Sequence, residues 1–187
     1  MLLLAFFCFF FGFDSNAQNE VSEVQIQQNT FYHTTTKKSI IERTASFKNH
    51  SILLSVLKAS NLDQVLAYDG QFTVFAPSNL AFEKLSKITI DRLLDPKNKK
   101  ALKDILSYHI IAGKLSASSI LKAMCRGNGI AKFTTVQGEK ITATMKGIDI
   151  VLTDTSGNEA VIVAADSNQS NGIIHEIDTV FLPVKMF

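Results

Sequence analysis

Three observations predict an α+β domain. Apolar residues recur at helical spacing through the first half of the chain, and β-branched segments parted by glycine-containing turns fill the part beyond Gly129. A length of 187 residues, with 46% hydrophobic and 19% charged side chains, is enough for one core without disulfide support. Helices come first and strands mostly later, an order that separates α+β from the alternating α/β class.

The domain is expected to span residues 39–183. Residues 18–38 are rich in Gln, Asn and Thr without a sustained period and read as a flexible leader. Ile52, Val56 and Ala59, with Leu53 and Leu57, then build a broad apolar helix face. Asn61 interrupts it, and residues 62–66 make a short second turn. Residues 72–75 are β-branched or aromatic and predict a strand, which Ala76-Pro77 ends because proline lacks the ladder donor. Ser78 can cap the following helix through its hydroxyl, with Ala81, Phe82 and Leu85 turned inward.

A short helix over 90–94 stops at Asp95-Pro96. The next turns Leu102, Ile105 and Leu106 inward and delivers the chain to Tyr108-His109, where Ile110-Ile111 and then Gly113 change the period. Ser116 caps a further helix over 117–124. Strands are predicted at 132–136, 140–145, 148–153, 160–164 and 173–182. Turns at Gln137-Gly138, Lys146-Gly147, Ser156-Gly157-Asn158 and Asn171-Gly172 separate them.

The two ends fall outside this domain. Residues 1–11 are an unbroken apolar run, and Ser15-Asn16-Ala17 sets small residues where a signal peptidase reads, so export with cleavage between Ala17 and Gln18 is expected. The run is shorter than the ~20 residues that cross a bilayer, hence no transmembrane span is expected in the mature chain. A retained anchor is the alternative. Residues 184–187 read as a tail.

Losing Asp14 with the signal leaves 19 basic against 16 acidic side chains, a formal charge of +3. That is too weak and too scattered for nucleic acid, and the lysines between Lys97 and Lys103 read as solvation of a loop and a helix start. Of the two cysteines only Cys125 survives processing, so no intramolecular disulfide can form, and a buried apolar thiol is expected there.

No catalytic, cofactor or metal constellation stands out. G-x-S-x-G, a phosphate-cradling glycine loop and H-E-x-x-H are all missing from the sequence. His175-Glu176 is a neighbouring pair on a predicted strand, whose side chains face opposite sides and cannot converge on one metal. The stretch from Asp154 to Glu159 sets oxygen side chains at alternate positions, as a calcium loop does. Its glycine is out of register and no acid follows at the EF-hand distance, so a hairpin turn explains it better. Asn49-His50-Ser51 and Asn168-Gln169-Ser170 fit the glycosylation sequon, which matters only on a eukaryotic secretory route.

Three segments in order carry a resemblance: TVFAPSNLAFEKL from Thr73, YHIIAGKL from Tyr108 and SNGIIHEIDTVFLP from Ser170. Together they resemble the first box, the Tyr-His motif and the closing box of the fasciclin domain, over residues 39–183. The resemblance implies helices packed on a wedge of β-strands, in secreted or surface-attached proteins used for adhesion and generally without enzymatic activity. It assigns Thr73, Phe75, Ala76, Pro77, Ser78 and Phe82, with Asn171, Gly172, His175 and Asp178, to the family motif, and these read as structural. Tyr108 and His109 are candidate ligand-binding residues, because the Tyr-His motif is linked to integrin binding in animal relatives. The local apolar stripe assigns the same pair to the core.

The function expected from this is a non-enzymatic, secreted or periplasmic recognition module, monomeric and without cofactor. Its partner is a cell-surface or matrix protein, or a polysaccharide. The alternatives are a periplasmic small-molecule-binding or hydrolytic protein, which a deep pocket with convergent polar groups favours, and a structural envelope protein.

Overall fold

The structure, a computed structural model, describes residues 37–67 and 70–182. The expected signal segment, the leader up to residue 36 and the tail lie outside the described residues. Ser39 opens α1 (Ile40–Ser46) with a reciprocal cap, its hydroxyl accepting from the Glu42 amide while the Glu42 carboxylate accepts from the Ser39 amide. This helix has only two buried residues, Ile40 and Thr44, too few to show a period in the sequence. A single 3-10 turn at Lys48–His50 leads into α2 (Ser51–Ala59), and Asn61, at a φ of 60°, turns the chain into α3 (Leu62–Ala67).

The remaining elements are β1 (Phe72–Pro77), α4 (Asn79–Glu83), α5 (Lys87–Leu94), α6 (Lys99–Tyr108), β2 (Ile110–Ala112), α7 (Ala117–Arg126), β3 (Ile130–Thr134), β4 (Lys140–Lys146), β5 (Asp149–Thr153), β6 (Glu159–Gln169) and β7 (Gly172–Ile177). Ser78, Ser86 and Ser116 cap α4, α5 and α7 by accepting from the amide three residues on. The strands make one sheet in the order β2-β1-β7-β6-β5-β4-β3, with β1 and β7 parallel and every other pair antiparallel. Just beyond β3, the Val136 amide donates to the Ile110 carbonyl of β2 at 2.7 Å, so the two edges approach and the sheet curls toward a barrel.

Alternation along β1 and β7 divides the interior. Val74, Ala76 and Ile174 face the helical layer, where Leu53, Leu57, Leu66 and Ile105 are buried. Phe75 and Ile177 face the other side, with Tyr108, Ile120, Ile141, Leu152 and Phe181.

Four readings of the sequence are corrected. First, β1 includes Ala76-Pro77 instead of ending at 75: both residues pair with β7, at Glu176 and Ile177. The Phe75 amide donates to His109 on the β2 side, so the Pro77 nitrogen, two residues on, faces past the end of β2 and no ladder donor is lost. Second, β6 runs to Gln169 rather than 164, through a polar stretch carrying two register shifts and a left-handed Asp166. Third, β7 ends at Ile177 rather than 182, because the Asp178 amide and carboxylate turn aside to Val161; Val180 and Phe181 are buried without strand pairing. Fourth, Cys125 is an exposed free thiol instead of a buried one. The inward residues of α7 are Ile120 and Met124, and the next position along a helix is rotated away from that face.

The turn between β6 and β7 fastens the helical layer to the sheet. Asn171 is buried; its side-chain oxygen accepts from the Ile40 amide at 2.8 Å and its amide group donates to the Leu66 carbonyl at 2.6 Å. The next residue, Gly172, packs so close to the Phe72 carbonyl that a Cβ there collides with it. Asn171→Ala orphans two buried backbone groups and is expected to cost about 2 to 4 kcal/mol in a urea melt. Gly172→Ala is expected to cost at least as much, since the obstacle is backbone; a melt like wild type for either variant contradicts this account of the corner.

Candidate functional site

The Tyr108-His109 pair lies inside the molecule, where the sequence stripe that begins at Leu102 continues inward. Tyr108 ends α6 and is fully buried, and His109, its C-cap, is 2% exposed. The Tyr108 hydroxyl donates to the Lys140 carbonyl at 3.1 Å and accepts from the Thr155 amide at 3.2 Å. His109 Nδ1 donates to the Ile105 carbonyl at 2.8 Å, while Nε2 accepts from the Phe181 amide at 3.1 Å. One nitrogen gives and the other takes, which fixes the neutral Nδ1–H tautomer. Burial pushes the imidazole down to about 4. Phe181 packs against both rings, at centroid distances of 5.9 Å from Tyr108 and 5.5 Å from His109.

The other motif residues hold corners of the same frame. Thr73 Oγ1 donates to the Gly113 carbonyl and accepts from the Leu115 amide, which ties β1 to the loop before α7. His175 Nε2 donates to the Leu115 carbonyl and Nδ1 accepts from the Asp166 amide, while the ring stacks on buried Phe75. Asp178 accepts from the Val161 amide at 2.8 Å and faces Lys84 at 3.3 Å. Ser78 is the α4 cap; Ala76 and Phe82 are buried in the helical layer.

The sequence did not single out the cleft between α1 and the helix-facing side of β7. Arg43, Phe47 and His50 follow one another at four and three residues across the end of α1 and the 3-10 turn, on one side of that segment. Facing them are Ala164, Ala165 and Ser167 of β6 and Ile174 and Glu176 of β7, around a half-open volume of about 200 Å³. The Arg43 guanidinium carbon lies 3.8 Å from the Phe47 ring centre, and the Phe47 and His50 rings stack at 5.8 Å. Glu176 Oε1 accepts from the Asn49 side chain at 2.8 Å. Its Oε2 lies 3.3 Å from His50 Nε2, close enough for charge contact but not aligned for a hydrogen bond, so that buried nitrogen has no hydrogen-bond partner among the described residues. Burial holds His50 below the usual histidine range; Glu176 opposes this and Arg43 adds to it. The spacing of Arg43, Phe47 and His50 was visible in the sequence, but their meeting with Glu176 depends on tertiary packing.

Ser167 shares the cleft with His50 and Glu176, yet its hydroxyl accepts from the Gln169 side chain at 2.9 Å. No hydrogen bond joins it to His50 among the described residues. Among the same residues no cluster of three His, Cys, Asp or Glu side chains is placed to hold a metal, and no helix is long and apolar enough to cross a membrane. In the Asp154 turn the carboxylate accepts from the Ser156 and Asn158 amides, so it is engaged in closing a hairpin.

The buried imidazole makes stability depend on pH. Folded His109 binds its proton near pH 4 and the unfolded chain near 6.5, so the unfolded state takes up a proton first as the pH falls. Stability is fully present above 6.5 and is lost between 6.5 and 4, by about 3 kcal/mol for this group. Melts across that window are expected to show a shallower slope for His109→Ala, which at neutral pH costs about 1 to 3 kcal/mol. Tyr108→Ala, which empties a buried ring site, is expected to cost about 3 to 5 kcal/mol. Wild-type stability in both variants, with an unchanged pH slope, contradicts the buried assignment.

Comparison with known proteins agrees with this architecture. Residues 48–183 match the family described as Fasciclin domain. Protein sll1483 of Synechocystis sp. is 36% identical over 145 residues, covering 78% of this chain and 73% of that protein. Cell surface glycolipoprotein MPB83 of Mycobacterium bovis is 37% identical over 114 residues, 61% of this chain and 44% of that protein. The solved FAS1 domain pair of the insect cell adhesion molecule Fasciclin I superposes with a TM-score of 0.68 at 20% identity, over 79% of this chain and 52% of that one. With the family match covering residues 48–183, from the 3-10 turn before α2 to beyond the last strand, the chain belongs to the fasciclin domain family.

Proposed function

We propose that the protein is a non-enzymatic adhesion or recognition module, exported from the cell, that binds a surface protein, a matrix protein or a polysaccharide through its exposed loops. The observation that carries this reading is the family match over residues 48–183. Two relatives lend it support through what they are: a cell surface glycolipoprotein and an insect cell adhesion molecule. The geometry supports it as well. The motif side chains are engaged in hydrogen bonds inside the fold. In this reading Met1 and the apolar residues after it direct export, processing follows Ala17, and the domain acts as a monomer.

Purified exported protein, offered to intact cells of its own source and to fractionated surface polysaccharide, is expected to bind saturably and to be competed by unlabelled domain. Folded variants of Tyr108 and His109 are expected to bind as wild type does. Failure to bind either material overturns the reading, and loss of binding in a variant that melts normally returns the motif to the surface. Intact mass of the exported chain is expected to begin at Gln18; a mass that retains residues 1–11 overturns the processing.

A further inference from the structure

The cleft between α1 and the helix-facing side of β7 has the chemistry of a small zwitterion site. Its walls carry opposite charges. The Arg43 guanidinium lies over the Phe47 ring, with no carboxylate in ion-pair range and no hydrogen-bond acceptor among the described residues. Across the cleft stands Glu176, whose Oε2 lies beside His50 Nε2, a buried atom without a hydrogen-bond partner among the described residues. Between them the floor is apolar, made by Ala164, Ala165 and Ile174. That floor exists because β6 slips register between Ala164 and Ser167 opposite β7, a bulge pinned on its other side by Asp166, whose amide donates to His175 and whose carboxylate accepts from the Ala117 amide.

A ligand that satisfies these groups needs three features. A planar anion suits the guanidinium fork, because Arg pairs with a carboxylate through two parallel hydrogen bonds. A cation with several donors suits the Glu176 carboxylate, whose Oε2 lies 3.3 Å from His50 Nε2. A short apolar group suits the floor. A simple apolar acid sets its carboxylate near Glu176 without compensation, and a simple amine leaves Arg43 unanswered. The volume of about 200 Å³ excludes an oligosaccharide or a folded peptide. We propose that this cleft binds a free α-amino acid with an apolar side chain, its carboxylate on Arg43, its ammonium at Glu176 and its side chain on the Ala164-Ala165-Ile174 floor. This site is separate from the adhesive role and does not depend on it.

The test is a titration of the full chain, labelled with ¹⁵N, with L-leucine and L-phenylalanine up to millimolar concentration. N-acetyl-leucine, which lacks the ammonium, and leucinamide, which lacks the carboxylate, serve as comparison probes. Saturable shifts are expected at the amides of Ala164, Ala165, Ser167, Ile174 and Glu176, with both blocked probes weaker than leucine by about tenfold or more. Arg43→Gln is expected to weaken leucine and erase its advantage over leucinamide. Glu176→Gln is expected to erase its advantage over N-acetyl-leucine. Should Glu176→Gln perturb the fold through Asn49 and His50, Arg43→Gln and the two blocked probes on wild type still decide. The proposal is overturned by an absence of saturable shifts, by shifts centred elsewhere, or by blocked probes that bind as well as leucine.

Discussion

The parallel pairing of β1 with β7 is the constraint on which the rest of the structure depends. It joins Phe72 to Gly172 and Pro77 to Ile177, so about half of the chain lies in the crossover between the two strands. Parallel pairs need such a connection and are somewhat weaker per residue than antiparallel ones. Here the pairing is reinforced at its entrance by Asn171, which bonds to both α1 and α3, and by a glycine that lets the two backbones approach. It also sets the alternation that divides the interior. Because β1 and β7 run side by side in register, Phe75 and His175 meet on one face while Ala76 and Glu176 look to the other.

That alternation explains why so much of the motif chemistry is internal. A protein this size has few places for buried polar groups, and each must find a partner. His109 and His175 solve this in the same way, each donating from one ring nitrogen to a carbonyl and accepting an amide on the other. Both work as connectors between segments distant in sequence: α6 to the chain after β7 in one case, and β7 to the loop before α7 and the β6 bulge in the other. Thr73 does the same with a hydroxyl, bridging Gly113 and Leu115. Substituting such a group removes a joint in the backbone network.

The helical half was legible in the sequence because its elements are governed by local rules. Serine caps at 78 and 116, the stop at Asp95-Pro96 and the stripe of Leu102, Ile105 and Leu106 each involve neighbours within a turn or two. The strand half was less so where partners override composition. Residues 166–169 are polar and lie beyond the strand expected over 160–164, yet they extend β6 because β7 is there to pair with them. Pro77 reads as a strand stop, yet β1 carries on through it for its pairing with β7, because β2 has already run out on the other side. Cys125 reads as buried by residue type, and one step of helical rotation exposes it.

The cleft was the least legible feature, for a reason that follows from the sheet. His175 and Glu176 cannot act as a pair because strand neighbours face apart, and they do: His175 is bound to Leu115 on one face, while Glu176 meets His50 on the face packed by α1. The same rule that forbids the two from sharing a site sends Glu176 to a different one. Its partners come from residues 43–50, more than 120 positions earlier, brought to β7 by the Asn171 corner. The contrast among the buried histidines follows from this. His109 and His175 sit where the fold supplies a donor and an acceptor for each ring, whereas His50 sits at the seam between α1 and the sheet, beside a carboxylate with which it does not align. In a frame that closes its hydrogen bonds elsewhere, an open one at a charged seam marks the place where the fold's own constraints end and a ligand's can begin.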